Sequence, residues 1–309
     1  MSINLNIIMY HYVRPIKKSK YKNLKALDFT EFKRQLDYLE SNYNIISTKD
    51  VINCINKKSQ LPSKACWLTF DDGYKDHIKY VLPELKKRNL HGAFFVSKVS
   101  TVEQKILIVN KIQLILSVCN DKKKLFNQVQ SLCFKNGLSK KSFNKLYQIH
   151  GKASRGDSKQ IIFIKRLLQH LLDPTKKLSI INELFKKYVK ETEANISKNY
   201  YMNINDLKNL IKNKMYVGSH AETHRWLNRL SYKEQEVEIK KSLEFLKDIG
   251  ISTKNWIMCY PHGGYNSDTL KLLKKNNCAI GLTANGGVAR LTKKNSLILP
   301  RFDTNDFPK

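Results

Sequence analysis

Side chains suited to acid–base and metal chemistry follow several short apolar runs in the sequence. Asp71 and Asp72 come directly after residues 67–70, and His220 and His224 follow residues 215–218. Further polar side chains follow other apolar runs in the same way, namely His11, His262, Arg301, Asp303 and Asp306. If these runs are parallel strands, their carboxyl ends share one edge of the sheet, and we expect the side chains to meet there.

Two imidazoles and one carboxylate suit a zinc-like divalent ion that keeps positions open for water and substrate. The spacing of His220 and His224 would place both imidazoles on one face if the segment is helical. The adjacent aspartates can divide the remaining work, since one can bind the ion while the other accepts a proton from water. Together the residues predict a metal site for hydrolysis, although each motif alone is also typical of a turn or a helix surface.

Strand-like and helix-like runs alternate in both outer parts of the chain, which favours βα units around a parallel sheet. Strands are predicted at residues 3–9, 65–70, 92–96, 215–218, 256–260, 279–282 and 297–300. Helices are predicted at residues 32–39, 51–55, 75–88, 204–212, 231–248 and 267–275. Asp28 and Ser231 are each followed three residues later by a glutamate, a spacing typical of capping boxes.

The middle of the chain, residues 101–200, shows no strand pattern. Residues 103–118 and 161–172 have helical periodicity, and residues 151–157 are predicted to form a loop. We therefore predict an α/β domain formed by residues 1–100 and 201–309. Residues 101–200 are predicted to be a helical insertion or cap, with 20 basic and 7 acidic residues.

Three segments at these strand ends resemble the motifs of the polysaccharide deacetylases, the NodB-like proteins of carbohydrate esterase family 4. Thr69-Phe70-Asp71-Asp72-Gly73 resembles the first motif, and residues 219–224, Ser-His-Ala-Glu-Thr-His, resemble the second. Residues 260–266, Tyr-Pro-His-Gly-Gly-Tyr-Asn, resemble the third, and residues 9–13 are typical of the start of many members. The resemblance covers residues 1–100 and 201–305 and leaves the insertion outside it.

The resemblance implies a distorted (β/α)7-type barrel and metal-dependent removal of an N-acetyl or other N-acyl group from an amino sugar. Asp71 matches the catalytic base, and Asp72, His220 and His224 match the ligands of a divalent ion, for which zinc is expected. The backbone N–H of His262 matches the donor to the oxyanion, which contributes about 3 kcal/mol in such sites. The residues expected to contact the substrate are Tyr260, Gly263, Tyr265 and Trp226.

Two departures from the family pattern leave catalytic roles open. Cys259-Tyr260 stands where the third motif often carries an arginine that tunes the base, and Arg301 is predicted to supply that charge. The family's Leu-x-His segment, whose histidine is the general acid, is replaced by residues 299–303, Leu-Pro-Arg-Phe-Asp. His262 and His11 are the alternatives for this acid, because imidazole can transfer protons near neutral pH.

The chain is strongly basic, with 56 Lys and Arg against 26 Asp and Glu and a net charge of +30. Nine of the basic residues are arginine, whereas a nucleic-acid-binding protein would be expected to use more of them for phosphate and base contacts. We interpret the excess first as solvated surface, with nucleic-acid binding as an alternative. The excess would also attract an amino-sugar precursor that carries a diphosphate.

The expected location is cytoplasmic. The six cysteines form no CxxC pair, which favours reduced thiols, and neither a signal peptide nor a transmembrane segment is visible. We therefore expect a nucleotide- or lipid-linked precursor of a surface glycan as the substrate. An exported deacetylase of a polysaccharide and a non-catalytic glycan-binding relative are the alternatives.

Overall fold

The structure is a computed structural model that describes residues 3–154 and 156–308. Met1, Ser2, Arg155 and Lys309 lie outside the described residues, and with them the ends of the predicted α/β domain and part of the predicted loop at 151–157. The chain divides into two compact units. The sheet unit comprises Met1–Ile16, Ala26–Lys105 and Ser197–Lys309, and the helical unit comprises Lys17–Lys25 and Ile106–Ile196.

The sheet unit is built on a strongly curled, mostly parallel sheet. The strands are β1 (Ile3–Tyr10), β2 (Val13–Arg14), β3 (Leu27–Asp28), β4 (Asn44–Ile45), β5 (Ala65–Phe70), β6 (Ala93–Val96), β7 (Tyr216–Ser219), β8 (Ile257–Cys259), β9 (Ile280–Leu282), β10 (Ala289–Leu291) and β11 (Phe302–Asp303). The main sheet has the order β10-β1-β5-β6-β7-β8-β9, with β11 added beside β1 and β4 beside β5. β10 is antiparallel to β1, and the pairs from β1 to β9 along this path are parallel. The predicted α/β barrel class is confirmed.

Helices fill most connections between these strands. They are α1 (Phe29–Asn42), α2 (Thr48–Ile55), α3 (Leu82–Lys87), α4 (Lys98–Thr101), α5 (Ile108–Val118), α6 (Lys122–Lys135), α7 (Lys140–His150), α8 (Lys159–Arg166), α9 (Pro174–Val189), α10 (Glu193–Tyr200), α11 (Ile204–Lys212), α12 (Tyr232–Asp248) and α13 (Ser267–Lys275). α5 to α9 belong to the helical unit, and the division between the units falls within α10.

The sequence of β5 shows why apolar runs mark the strands that carry the site. All six of its residues are buried. Leu68 and Phe70 belong to one apolar cluster, and Trp67 belongs to another, because successive side chains point to opposite faces of the sheet. A parallel sheet covered on both faces therefore needs continuous apolar strands, and polar residues begin where each strand ends.

The two predicted helix caps differ in completeness. Ser231 and Glu234 form the full reciprocal capping box at the start of α12. Asp28 caps α1 by accepting a hydrogen bond from the Thr30 N–H at 2.9 Å, without the return bond from Glu31 that a capping box requires. Both caps begin helices at the residues that the sequence indicates, since the side-chain oxygen satisfies a backbone N–H of the first turn.

The last part of the sheet differs from the prediction. Residues 297–300 do not form a regular strand: Leu299 makes one isolated bridge to Leu282, and residues 293–297 form turns. Leu297 and Leu299 are buried, so the apolar residues that suggested a strand pack beneath a loop instead. The strands in this region are β10, which the sequence analysis missed, and β11, which begins after Pro300.

The helical unit has its own apolar core. α5 packs on α9, and α6 and α7 pack on α8. Phe143 meets Phe126 and Phe163 edge to face, with ring centroids 5.9 and 5.2 Å apart. The unit also includes Lys17–Lys25, which the sequence pattern assigned to the α/β domain. Among the described residues, no helix has the length and apolar character needed to span a membrane.

Candidate metal centre

The carboxyl ends of β5 and β7 bring the two strongest sequence motifs together. The Asp71 N–H donates to the Tyr10 carbonyl at 2.9 Å, and the His220 N–H donates to the Val96 carbonyl at 2.9 Å. The parallel ladders thus extend one residue past each strand. This extension fixes the backbone from which the candidate catalytic and ligand side chains project.

Asp72, His220 and His224 form a compact buried triad. Asp72 Oδ1 lies 3.3 Å from His220 Nε2 and 3.1 Å from His224 Nε2, and the two Nε2 atoms are 3.2 Å apart. One ligand atom from each residue lies within 4.8 Å of the others. Burial alone would raise the pKa of Asp72, but the adjacent imidazoles outweigh it and hold that pKa well below its usual range. The triad is therefore anionic at its carboxylate.

The donor chemistry of this triad fits a divalent metal ion. His220 Nδ1 lies 2.7 Å from the Cys259 carbonyl, which can only accept, so Nδ1 carries a proton and Nε2 is the nitrogen that faces the triad, where it can bind an ion once it has lost its own proton. Asp72 Oδ1 is buried and accepts no hydrogen bond from the described residues. Two imidazoles and one carboxylate whose Nε2 and Oδ1 atoms converge match three protein ligands of a catalytic zinc-type site.

The segment that carries the second histidine is a loop, not the helical turn that its spacing suggested. His224 has φ +60° and Ala221 has φ +61°, and both angles lie in the left-handed region that residues other than glycine rarely adopt. The two imidazoles meet because the loop folds back, so the helical explanation of the His-x-x-x-His spacing is wrong. Such a backbone persists only where surrounding contacts fix it.

Glu238, a fully buried residue of α12, provides those contacts. Its Oε2 accepts hydrogen bonds from the Glu222 N–H at 3.1 Å and the Thr223 N–H at 2.8 Å. Its Oε1 accepts from the Thr223 hydroxyl and from Arg225 Nε, the latter at 3.0 Å. One carboxylate thus holds the loop immediately before His224. Nothing in the sequence marks Glu238, because it lies in an ordinary helical pattern.

The isosteric change Glu238→Gln should loosen this loop. Glutamine replaces one acceptor oxygen with an amide donor, which leaves buried N–H or O–H groups unpaired at about 1–3 kcal/mol. We expect the free energy of unfolding in urea to fall by that amount, and zinc affinity measured by chelator competition to fall as well. The control Glu244→Gln changes an exposed residue of the same helix. Equal zinc affinity in both variants would contradict this role for Glu238.

Asp71 is held by Arg301 in a buried two-point contact. Arg301 Nη1 and Nη2 donate to Asp71 Oδ1 and Oδ2 at 2.9 and 2.7 Å. Burial would raise the pKa of Asp71, but the Arg301 guanidinium outweighs it and lowers that pKa to about 2. Arg301 Nη2 also lies 3.2 Å from Cys259 Sγ, and Arg301 Nε donates to the Thr283 carbonyl at 2.8 Å. The charge that the third motif lacks at Cys259 thus comes from the segment before β11.

Of the two histidines considered for the general acid, His11 lies close to Asp71 and is partly exposed. His11 Nε2 is 3.9 Å from Asp71 Oδ2, and 41% of the side chain is accessible to solvent. The buried His77 lies with Nε2 2.8 Å from the His11 carbonyl, so His77 holds the backbone beside the site. The ring of His262 instead stacks on Trp226, with centroids 4.6 Å apart, and meets His224 edge-on.

Of the remaining residues predicted to contact substrate, Trp226 lies beside the triad, whereas the side chain of Tyr260 belongs to the core. Trp226 lies beside the triad through its stacking on His262. Tyr260 is buried and donates its hydroxyl to the Leu297 carbonyl at 2.6 Å, so we assign its side chain to the core rather than to the substrate. Tyr265 stacks on Tyr260 at 5.0 Å. Gly263 has φ +71°, and a Cβ there would lie 2.9 Å from the Ala284 nitrogen, so the turn requires glycine.

Asp303 and Asp306 do not join this cluster. They form a reciprocal capping box on the short 3-10 turn at residues 304–306. Their position after an apolar run made them look equivalent to Asp71. The strand at 302–303 and its turn instead use both carboxylates for backbone hydrogen bonds.

The fold and the site together define a curled α/β barrel protein with a candidate metal centre at its strand ends. The sequence profile of the family named Polysaccharide deacetylase matches residues 58–126 and 174–280, more than half of the chain. The chain therefore belongs to the polysaccharide deacetylase family. The matched residues include Asp71, Asp72, His220 and His224, whereas His11 and Arg301 lie outside them.

Solved structures of deacetylases share the fold. Deacetylase PplD of Streptococcus pyogenes, in complex with acetate, is 19% identical with a TM-score of 0.58, over 98% of this chain and 93% of that chain. IcaB from Ammonifex degensii is 17% identical with a TM-score of 0.57, over 98% and 92%. A de-N-acetylase from Aggregatibacter actinomycetemcomitans is 13% identical with a TM-score of 0.56, over 97% and 94%. A search among curated proteins finds no match.

Proposed function

We propose that the protein is a zinc-dependent hydrolase that removes an N-acetyl group from an amino sugar. The observation that carries this proposal is the buried triad of Asp72, His220 and His224 next to an ionised carboxylate, Asp71. The three triad residues would hold the ion. When bound, such an ion lowers the pKa of a water molecule and polarises the amide carbonyl.

Asp71 is suited to accept the proton of the attacking water. Arg301 keeps the Asp71 carboxylate ionised. Both side chains are buried, so water does not compete for the contact between them. Attack forms a C–O bond at the acyl carbon and breaks its C–N bond, which gives a carboxylate and a free amine. The backbone N–H of His262 is proposed to stabilise the oxyanion, in keeping with the resemblance of residues 260–266 to the third motif.

The leaving amine needs a proton, and we propose that His11 supplies it. Its imidazole lies 3.9 Å from Asp71 Oδ2 and is partly exposed, whereas the ring of His262 stacks on Trp226 and meets His224 edge-on. His11→Gln and His262→Gln distinguish the two. Loss of kcat in the first variant supports His11, and a larger loss in the second assigns the acid to His262.

The charge of the helical unit supports an anionic substrate. Its 100 residues contain 23 Lys and Arg against 6 Asp and Glu, a net charge of +17. Five of its six carboxylates already have hydrogen-bond or ion-pair partners. Asp121 and Asp173 cap helices, and Asp157, Glu191 and Glu193 pair with lysines. The unit therefore carries uncompensated lysines, which attract anions. We propose a nucleotide- or lipid-linked amino sugar, whose diphosphate these lysines would draw in from the cytoplasm.

Neutralising part of this charge should slow the capture of such a substrate. Lys140, Lys141 and Lys145 are exposed on α7, and two of them stand at its N-terminus, where positive charge does not stabilise a helix. We expect the triple change to glutamine to lower kcat/KM about 3- to 10-fold for a diphosphate-linked N-acetyl amino sugar at low salt, and to leave kcat unchanged.

The matched control changes three exposed lysines of the sheet unit, Lys208, Lys212 and Lys214, to glutamine. A methyl glycoside of the same amino sugar provides an uncharged substrate. An equal kcat/KM for both triple variants on the charged substrate would remove the support for an anionic precursor. Cell fractionation tests the cytoplasmic location.

A further inference from the structure

We infer that Tyr74 is a positioning residue for the metal ligand Asp72, and that the segment Tyr200–Met202 holds Tyr74 in place. This inference rests on the proposed metal site and is independent of the substrate. No motif in the sequence pointed to these tyrosines. None of them belongs to the triad, so we infer an effect on the ion site through Asp72.

The Tyr74 hydroxyl lies 2.5 Å from Asp72 Oδ2. An ionised carboxylate can only accept, so the hydroxyl donates. The same carboxylate turns its other oxygen, Oδ1, toward His220 and His224. The two oxygens therefore have separate tasks: one faces the ion site, and the other is fixed by Tyr74. Hydrogen bonds of this kind to a ligand's second oxygen orient the ligand and raise metal affinity.

Other tyrosine rings fix the ring of Tyr74. Tyr12 stacks on it with centroids 4.0 Å apart, and Tyr201 lies nearly parallel to it at 6.0 Å. Tyr200 meets it edge-on at 5.6 Å and donates its hydroxyl to that of Tyr12 at 2.7 Å. Arg14 lies over the rings of Tyr12 and Tyr200, which adds a cation–π contact. These contacts fix the ring from which the Tyr74 hydroxyl reaches Asp72.

The backbone joins the same two segments. Tyr74 and Tyr201 form an antiparallel bridge, and the Met202 N–H donates to the Gly73 carbonyl at 2.8 Å. Lys75 Nζ lies 2.5 Å from Asp206 Oδ2 at the start of α11. Tyr200–Met202 is the point at which the chain resumes the α/β pattern after the helical residues. The turn that carries Asp72 is thus held by residues about 130 positions further along the chain.

Tyr74→Phe removes the hydroxyl and keeps the ring contacts. We expect zinc affinity, measured by competition with a chromogenic chelator on the full-length protein, to fall about 10- to 100-fold. The Tm of the metal-free protein should fall only moderately, because the buried Asp72 oxygen loses one donor while the ring contacts remain. Tyr10→Phe is the control, because the buried Tyr10 hydroxyl has no hydrogen-bond partner among the described residues. It should leave zinc affinity unchanged.

A double-mutant cycle tests the support from Tyr201. Tyr201→Leu should weaken zinc binding when Tyr74 keeps its hydroxyl, and should have little further effect in the Tyr74→Phe background. Unchanged zinc affinity in Tyr74→Phe would overturn the inference, whatever the activity of the enzyme. Additive effects of the two changes would overturn the role of Tyr200–Met202. A protein that binds zinc as inferred but releases no acetate would leave this inference standing and refute the proposed function.

Discussion

Asp71→Asn is expected to lower kcat for acetate release from an N-acetyl amino sugar by about 10²- to 10⁴-fold, the usual contribution of a general base. Asparagine keeps the shape of the side chain but cannot accept the proton of the attacking water. The metal ligands are untouched, so zinc affinity should stay within a few-fold of the wild type. Release of acetate and competition with a chelator measure the two quantities on the same preparation.

The control Asp72→Asn changes the neighbouring carboxylate, which belongs to the triad. It should lose zinc affinity and activity together, whereas Asp71→Asn should lose activity alone. Full activity of Asp71→Asn would show that another group takes the proton. A wild-type protein that binds zinc and a glycan but releases no acetate would support the non-catalytic glycan-binding alternative.

Two residues of the triad, Asp72 and His220, could be predicted because they stand where apolar strands end. Asp72 follows the six buried residues of β5, and His220 follows β7 directly. Position along the chain was sufficient there, since parallel strands bring their carboxyl ends to one edge. The same reasoning placed Asp303 wrongly, because its strand ends in a turn that uses the carboxylate as a cap.

The residues that hold the triad could not be predicted in this way. Glu238 and Tyr74 act through hydrogen bonds to groups that other elements place beside them, and neither residue type nor spacing marks them in the sequence. His224 is similar. Its pairing with His220 could be predicted, but the loop with two left-handed residues, Ala221 and His224, could not. Such backbone follows from tertiary contacts, which the local pattern of residues 219–224 does not contain.

For Arg301 the charge near Asp71 could be predicted from the sequence, but the two-point contact could not. We expect the second large effect from replacing this residue. Arg301→Met keeps much of the side-chain volume but leaves the Asp71 carboxylate buried without its cation. Breaking a buried pair in this way costs about 3–5 kcal/mol of unfolding free energy. Activity should fall as well, because burial then raises the pKa of Asp71 and its carboxylate is no longer held by two hydrogen bonds. Urea unfolding and acetate release measure both effects.

The cause of that loss can be separated from a general loss of packing. In the Asp71→Asn background there is no buried anion to strand, so Arg301→Met should cost much less unfolding free energy there than in the wild type. Arg290→Met, on an exposed residue of β10, is the control for the substitution itself. Arg301→Lys keeps the charge but not the two-point contact, and should fall between wild type and methionine. Equal costs of Arg301→Met in both backgrounds would mean that Arg301 stabilises the barrel without holding Asp71 ionised, and the missing charge of the third motif would then have no replacement.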